Sequence, residues 1–187
     1  MDSSTPAAEQ LSLFDAVVAT YEEPRWAVYS DGGCAPHNPG PCAWGAVIEP
    51  PDGESIERNG FLGHGTNQIA ELTGAIEGLK ATPVGASVLL VSDSQYVIKG
   101  LTEWRHGWER RGWRNSQGDP VANGHLWRAL FALADQRRVQ ARWVKGHAGH
   151  PQNERADKLA SQALAAARLN RHEVDSDGCG DATAARA

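Results

Sequence analysis

Four acidic residues stand in sequence contexts that could do chemistry. Asp31 ends an alternating apolar segment and is followed directly by two glycines, and Asp93 ends a short apolar run. Glu71 and Asp157 lie instead in segments with the apolar spacing of helices. A single acid after a strand is most often a turn former or a helix cap, so only the set of four points to a site.

Such a set of acids is suited to hard divalent cations. Carboxylate oxygens prefer Mg²⁺ or Mn²⁺, and the sequence has no closely spaced cysteine pair of the zinc-binding type. Several ionised carboxylates in one place repel each other, so the arrangement itself requires bound cations. Two ions roughly 4 Å apart can activate water and stabilise the leaving oxygen in phosphodiester cleavage.

Apolar spacing predicts the elements that position these acids. Strands are expected at about 25–31, 43–49, 55–62, 86–91 and 139–144, and helices at about 67–81, 94–100, 124–135 and 153–167. This order indicates an α/β fold with a five-stranded mixed sheet, in which parallel strands extend an antiparallel meander and helices flank the sheet. Asp31 and Asp93 then lie at one edge of the sheet, where such sheets bind ligands.

Length and composition predict one catalytic domain, residues 25–167, between a flexible arm (1–24) and a disordered polar tail (168–187). The arm has no Lys or Arg and no long apolar run, which argues against a signal peptide or a membrane span. We expect a cytoplasmic monomer. Cys34, Cys42 and Cys179 are odd in number and are expected to be plain thiols.

Charge is distributed unevenly along the chain. The segment from Trp104 to Lys145, here called the basic segment, has nine Lys/Arg against three acids, although the whole chain has a net charge of −5. It also contains five of the seven tryptophans. A basic stretch on an acidic chain is the pattern expected where a phosphate backbone docks.

Several strings resemble type 1 ribonuclease H of bacteria. They are Ser30-Asp31-Gly32-Gly33-Cys34 with Asn38-Pro39-Gly40-Pro41, Thr66-Asn67 with Glu71-Leu72, Ser92-Asp93-Ser94-Gln95-Tyr96-Val97, and Trp143 to Pro151 with Asn153-Glu154-Arg155-Ala156-Asp157. They occur in family order from about Arg25 to Ala167. The resemblance implies a ribonuclease H-like fold and an endonuclease that hydrolyses the RNA strand of RNA/DNA hybrids, leaving 5′-phosphate and 3′-hydroxyl ends.

The resemblance also implies roles for the acids. Asp31 would bridge two Mg²⁺ ions, for which Mn²⁺ can substitute. Asp157 would complete the site of the ion that activates water, and Glu71 and Asp93 would hold the ion at the leaving oxygen. Glu154 would act from outside the coordination sphere.

Further implied roles concern proton transfer and the hybrid. His147 would move protons or assist product release, whereas His150 is read as a plain surface residue. The family recognises the 2′-hydroxyl through the backbone at Cys34 and through Glu71, and it binds the DNA strand with tryptophans and a phosphate pocket. The expected substrate contacts are Cys34, Asn38, Thr66, Asn67, Gln68, Gln95, Trp104, Trp108 and Asn123. Trp127 and Trp143 are expected in the core.

Three departures from the family pattern predict weaker hybrid affinity, since each lost phosphate contact weakens binding. His64 stands where many relatives have Arg, Glu109 where Lys is usual, and one extra residue separates Cys34 from Asn38. Two alternatives stay open: a DNA-cutting, transposase-like member of the same fold, and a hybrid-binding or clamp-tethered scaffold that does not cut. The protrusion from Trp104 to Trp113 and the loop from Lys145 to Pro151 favour ribonuclease H over the first alternative, and the four intact acids argue against the second.

The arm contains a short apolar motif formed by Gln10, Leu11, Ser12, Leu13 and Phe14. It is similar to the motif with which bacterial replication and repair proteins dock on the DNA sliding clamp. A Gln anchors such peptides and a Leu-Phe pair fills an apolar pocket. The alternative is an amphipathic segment over residues 11–21 that packs on the catalytic domain.

Overall fold

A five-stranded mixed sheet lies at the centre of the structure, a computed structural model that describes residues 25–177, with side chains described to residue 170. The strands are β1 (Trp26–Cys34), β2 (Gly40–Glu49), β3 (Ile56–Gly65), β4 (Ser87–Ser92) and β5 (Arg138–Trp143). Their order is β3-β2-β1-β4-β5, with antiparallel pairing from β3 to β1 and parallel pairing from β1 to β5. The predicted α/β fold and its mixed sheet are confirmed.

The helices of the described region are α1 (Asn67–Lys80), α2 (Gln95–Lys99), a π-helical turn (Gly100–Trp104), α3 (Arg105–Arg110), α4 (Gly124–Asp135) and α5 (Pro151–Asp177). The last helix was expected to end at about Ala167 and instead continues to Asp177, so the tail does not begin at residue 168. Among residues 25–177 no helix is both long and apolar enough to cross a membrane.

Two apolar cores hold the sheet between helical layers. On one face, the side chains of α1 and α4 pack with those of β1, β2 and β4 around Val28, Leu72 and Trp127, all of which are fully buried. The predicted core position of Trp127 is thus confirmed. On the other face, Ala156 and Leu159 of α5 pack against Val47. The strands that end in Asp31 and Asp93 are therefore held by helices packed on both faces of the sheet.

Two glycines allow the helices to approach the strands that lead to Asp31. A Cβ on Gly32 would clash with the backbone of Ala70 and Glu71 in α1. A Cβ on Gly45, the partner of Asp31 in β2, would clash with the backbone of α5 at Ala156. Because only glycine permits such close backbone contact, both helices can bring their acids to the end of β1.

Strand register brings the first and third acids together. In the parallel pair of β1 and β4, Tyr29 lies opposite Val91. Asp31 and Asp93 each follow two residues later, so both leave the sheet at the same level. The register accounts for the side-by-side arrangement expected from the sequence.

The expectation of plain thiols is wrong for two of the three cysteines. Cys34 at the end of β1 and Cys42 in β2 are directly opposite in the antiparallel register, and they form a disulfide. Their pairing follows from the hairpin that joins the two strands, which returns the chain to the same level after eight residues. Cys179 and the arm with Gln10, Leu11, Leu13 and Phe14 lie outside the described residues.

Candidate active site

Asp31 occupies an environment that opposes its ionisation. Its Oδ1 accepts a hydrogen bond of 2.7 Å from the Gly32 N–H. Burial and, after it, the negative charges of Asp93, Asp157 and Glu71 together raise the pKa of Asp31 to about 7, against the opposing effect of that hydrogen bond. All four predicted acids therefore share one electrostatic environment at the end of β1.

Glu71 is oriented by Ser94, a residue for which no such role was predicted. The Ser94 hydroxyl donates a hydrogen bond of 2.6 Å to Oε2 of Glu71. Burial raises the pKa of Glu71, as does the charge of Asp93, while the bond from Ser94 lowers it. The same hydroxyl accepts from the Val97 N–H at 3.3 Å and caps α2. A serine at a helix start directly after an acid was the available signal.

The residues present fit divalent cations of the magnesium type. The donors are hard carboxylate oxygens, and positive charge would relieve the repulsion that raises the pKa of Asp31. Within residues 25–177 no group of three or more His, Cys, Asp or Glu side chains is placed so that these side chains alone could hold a metal ion. Mg²⁺ usually keeps several waters and phosphate oxygens as ligands and is seldom held by protein groups alone.

A glycine-containing loop from Lys145 to His150, here called the histidine loop, brings His147 beside the acids. Its Nδ1 lies 3.9 Å from Oδ2 of Asp157, and its side chain is 80% exposed. His147 has a φ of 51°, which is uncommon for a residue with a side chain. Glu154 accepts a hydrogen bond of 3.0 Å from the Gly149 N–H and so ties the loop to α5.

Four of the expected substrate contacts meet at the N-terminus of α1. Asn67 Oδ1 accepts from the Cys34 N–H at 2.9 Å, and Asn38 Oδ1 accepts from the Asn67 N–H at 3.1 Å. Thr66 caps the helix by accepting from the Ile69 N–H at 3.4 Å. The hairpin between β1 and β2 is thus joined to α1 beside Asp31. The fifth expected contact of this region, Gln68, is exposed on the first turn.

The residues expected to contact the DNA strand differ in their exposure. Trp104 is partly exposed and lies with its ring 5.6 Å from that of Trp108. Trp108 itself is only 8% exposed and packs on Trp127, so it is a core residue and not an open contact. Asn123, in the left-handed conformation, donates to the Tyr96 hydroxyl at 3.4 Å. Gln95 is exposed at the start of α2.

Trp143 was expected in the core, but its side chain is 45% exposed at the end of β5. Val139 and Ala141 occupy the same face of this strand and are partly buried. Trp143 lines an open pocket with Gln95 and Lys99 of α2, so its ring stays partly in solvent. It donates a hydrogen bond from Nε1 to the Asp93 carbonyl oxygen at 2.9 Å.

Charges within the basic segment are partly neutralised. Arg105 forms a paired contact of 2.6 Å with each carboxylate oxygen of Asp135 and a contact of 2.9 Å with Glu109. The unusual acid Glu109 therefore has a structural partner. Arg128 stacks over the ring of Trp113 at 4.0 Å.

Comparison with known proteins agrees with this geometry. The family model for RNase H matches residues 23–165. A ribonuclease H of Bradyrhizobium diazoefficiens is 47% identical over 154 residues, which cover 82% of this chain and 99% of that protein. A ribonuclease H of Syntrophotalea carbinolica is 48% identical over 139 residues, which cover 74% and 90%.

Among solved structures, LC9-RNase H1, a type 1 RNase H with the type 2 active-site motif, is 31% identical with a TM-score of 0.66, covering 76% of this chain and 73% of that one. LC11-RNase H1, solved in complex with an RNA/DNA hybrid, shares the fold with a TM-score of 0.58 at 22% identity, covering 76% and 99%.

The sheet, its helical layers and the comparisons define a nuclease of the α/β class. The chain belongs to the ribonuclease H family.

Proposed function

We propose that this protein is an endonuclease that hydrolyses the RNA strand of RNA/DNA hybrids with two Mg²⁺ ions and leaves 5′-phosphate and 3′-hydroxyl ends. The observation that carries the proposal is the shared environment of the four acids, in which the charges of Asp93, Asp157 and Glu71 raise the pKa of Asp31. The fold is also that of a protein solved with such a hybrid.

Asp31, Glu71, Asp93 and Asp157 would hold the ions, and Mn²⁺ would substitute. Bound in this way, the ions supply a more acidic water and stabilise charge on the leaving oxygen. The residues of the chain do the remaining work. Ser94 orients Glu71, and the bond from Gly149 to Glu154 holds the loop on which His147 can exchange protons with solvent.

Selectivity for RNA would come from the cluster at the N-terminus of α1. The Cys34 N–H donates a hydrogen bond to Asn67 Oδ1 at 2.9 Å. When a hybrid binds, this N–H would donate to a ribose 2′-hydroxyl instead. A 2′-hydroxyl is the group that distinguishes RNA from DNA at a contact. Asn38, Gln68 and Gln95 would contact the hybrid near the cut, while Thr66 and Asn123 would hold a DNA phosphate and Trp104 would line the DNA channel.

The test compares end-labelled substrates of one sequence: an RNA/DNA hybrid, duplex DNA, duplex RNA and single-stranded RNA, each with Mg²⁺ and with chelator. We expect Mg²⁺-dependent cleavage of the RNA strand of the hybrid alone. RNA products that are joined by a ligase requiring 5′-phosphate and 3′-hydroxyl ends would support the assigned ends. Cutting of duplex DNA would favour the transposase-like alternative, and binding without cutting would favour the scaffold.

We further propose that residues 10–14 dock on the bacterial DNA sliding clamp and that the enzyme acts in the cytoplasm as a monomer during DNA replication. Support for docking comes from the sequence, where Leu11, Leu13 and Phe14 lie in a polar arm that offers them no core. Docking would raise the local concentration of enzyme near new hybrids without new contacts to nucleic acid. This would offset the departures at His64 and Glu109.

A further inference from the structure

The end of β5 donates hydrogen bonds to the backbone carbonyls of Ser92 and Asp93. Trp143 lies opposite Ser92 in the parallel register. One residue later, the Val144 N–H donates to the Ser92 carbonyl oxygen at 3.1 Å, and the Trp143 indole N–H donates to the Asp93 carbonyl oxygen at 2.9 Å. The carbonyl oxygens of two successive residues, Ser92 and Asp93, therefore accept hydrogen bonds from this strand end.

The indole bond has no equivalent in ordinary sheet pairing. β4 ends at Ser92, so the carbonyl of Asp93 lies beyond the regular pairing of β4 with β5. The side chain of Trp143 supplies the donor in place of a backbone N–H. A tryptophan that is 45% exposed could satisfy its N–H with water, so a bond to this carbonyl is a specific use of the group.

The carboxylate of Asp93 is confined from the other side by the histidine loop. A Cβ on Gly146 would clash with Oδ2 of Asp93. The backbone of the loop therefore lies directly against the carboxylate, while the indole holds the backbone of the same residue. Asp93 is bracketed by two groups that come from one continuous segment, residues 143–146.

We propose that Trp143 is a positioning residue: its indole N–H fixes the backbone of Asp93 so that the carboxylate points at the site shared by the four acids. The inference rests on the proposed function, because it takes Asp93 as a ligand of Mg²⁺. Metal ligands are oriented by the groups that bond to them from outside the coordination sphere, and loss of such a group lowers metal affinity by about 10–100-fold in known sites.

The competing explanations for Trp143 differ in what they predict. If the residue only stabilises the fold, its replacement lowers the melting temperature and leaves Mg²⁺ affinity unchanged. If its exposed ring instead contacts the hybrid, replacement weakens hybrid binding even when no metal is present. A positioning role predicts loss of Mg²⁺ affinity with hybrid affinity preserved.

The experiment uses Trp143→Phe, which keeps an aromatic ring and removes the N–H. The matched control is Trp26→Phe at the start of β1, opposite Val88 and at the far end of the sheet from Asp93. Mg²⁺ binding to the free full-length protein is measured by calorimetry, hybrid binding is measured in chelator, and the Mg²⁺ dependence of cleavage is recorded. We expect Trp143→Phe to weaken Mg²⁺ binding about tenfold, to raise the half-saturating Mg²⁺ concentration similarly, and to keep hybrid affinity within about twofold.

Two further variants separate the failures. Gly146→Ala lies on an exposed loop and acts directly on the carboxylate, so it should weaken Mg²⁺ binding even if Trp143→Phe folds poorly. Asp93→Asn tests the metal assignment itself. Wild-type Mg²⁺ affinity in Asp93→Asn would overturn the proposed role of Asp93, whereas a defect there with wild-type affinity in Trp143→Phe would overturn only the inference, whatever Gly146→Ala shows.

Discussion

The hydroxyl of Ser94 lies 2.6 Å from Oε2 of Glu71 and donates a hydrogen bond to it. This contact joins the end of β4 to α1 through a residue that also caps α2. One small side chain therefore links the position of Glu71, a proposed catalytic acid, to the start of a helix.

The first prediction concerns this contact. Ser94→Ala should cost about 1 kcal/mol of stability through the lost cap. It should also raise the pKa of Glu71 further, because the hydrogen bond from Ser94 lowers that pKa. Cleavage should then fall more at pH 6 than at pH 8.5. Ser94→Thr keeps a hydroxyl and should restore the profile, whereas parallel pH profiles for Ser94→Ala and the wild type would contradict the role.

Removal of either strand-end acid should abolish cleavage and leave the fold intact. Asp31→Asn or Asp93→Asn takes away a proposed metal ligand and also relieves repulsion among the remaining acids. Both variants should melt no lower than the wild type in chelator. Cleavage within tenfold of the wild type in either variant would contradict the two-metal assignment.

The raised pKa of Asp31 predicts how stability depends on pH in metal-free protein. The folded pKa of about 7 exceeds the ordinary value of 3.8, so the folded state binds this proton more tightly than the unfolded state. The resulting stability is fully present below about pH 4 and is lost as pH rises through about 7, by at most about 4 kcal/mol. The difference in unfolding free energy between the wild type and Asp31→Asn, measured by urea titration, should follow this course. Added Mg²⁺ at pH 8 should restore the stability of the wild type only.

His147 is expected to affect turnover more than binding. Its imidazole is largely exposed beside Asp157, on a loop tied down by Glu154. His147→Ala should lower kcat by at least about tenfold while hybrid affinity in Ca²⁺ changes little. The wild-type rate should rise with pH through the neutral range, because a water must lose its proton. Equal losses in affinity and turnover would make His147 a binding residue.

Clamp docking is tested with Leu13→Ala/Phe14→Ala. The wild type should bind the host clamp at tens of micromolar or tighter, and the double variant should not, with no change in melting temperature. Cleavage of a free hybrid should be equal in the two proteins. If neither protein binds, or if the variant melts several degrees lower without loss of clamp affinity, the segment is structural.

The sequence was sufficient to predict the sheet and the position of Asp31 and Asp93 at one of its edges, because these features depend on short-range patterns. Strand boundaries lie within three residues of the predicted ones. Asp31 and Asp93 end neighbouring parallel strands, and parallel pairing brings strand ends to one edge. No precise register was needed for that conclusion.

The predictions that were wrong depend on how distant segments of the chain pair and pack. The pairing of Cys34 with Cys42 depends on the register of a hairpin, and the sequence does not show where its strands end and its loop begins. The exposures of Trp108 and Trp143 are the reverse of those expected because they depend on packing between elements. Trp108 packs on Trp127, while Trp143 lies at the end of an edge strand and lines an open pocket with α2. Periodicity identifies the face of an element but does not show how closely other elements pack on it.

The helix α5 extends beyond the part of the chain that matches the family. The family match stops at residue 165, yet Arg168 on the next turn donates from Nη2 to the Ala35 carbonyl oxygen at 2.9 Å. Ala35 belongs to the hairpin loop that also carries Asn38. Arg168 was expected in a disordered tail and instead supports a loop that is expected to contact the hybrid. A protein shortened to the family match would therefore lose a contact that holds this loop in place.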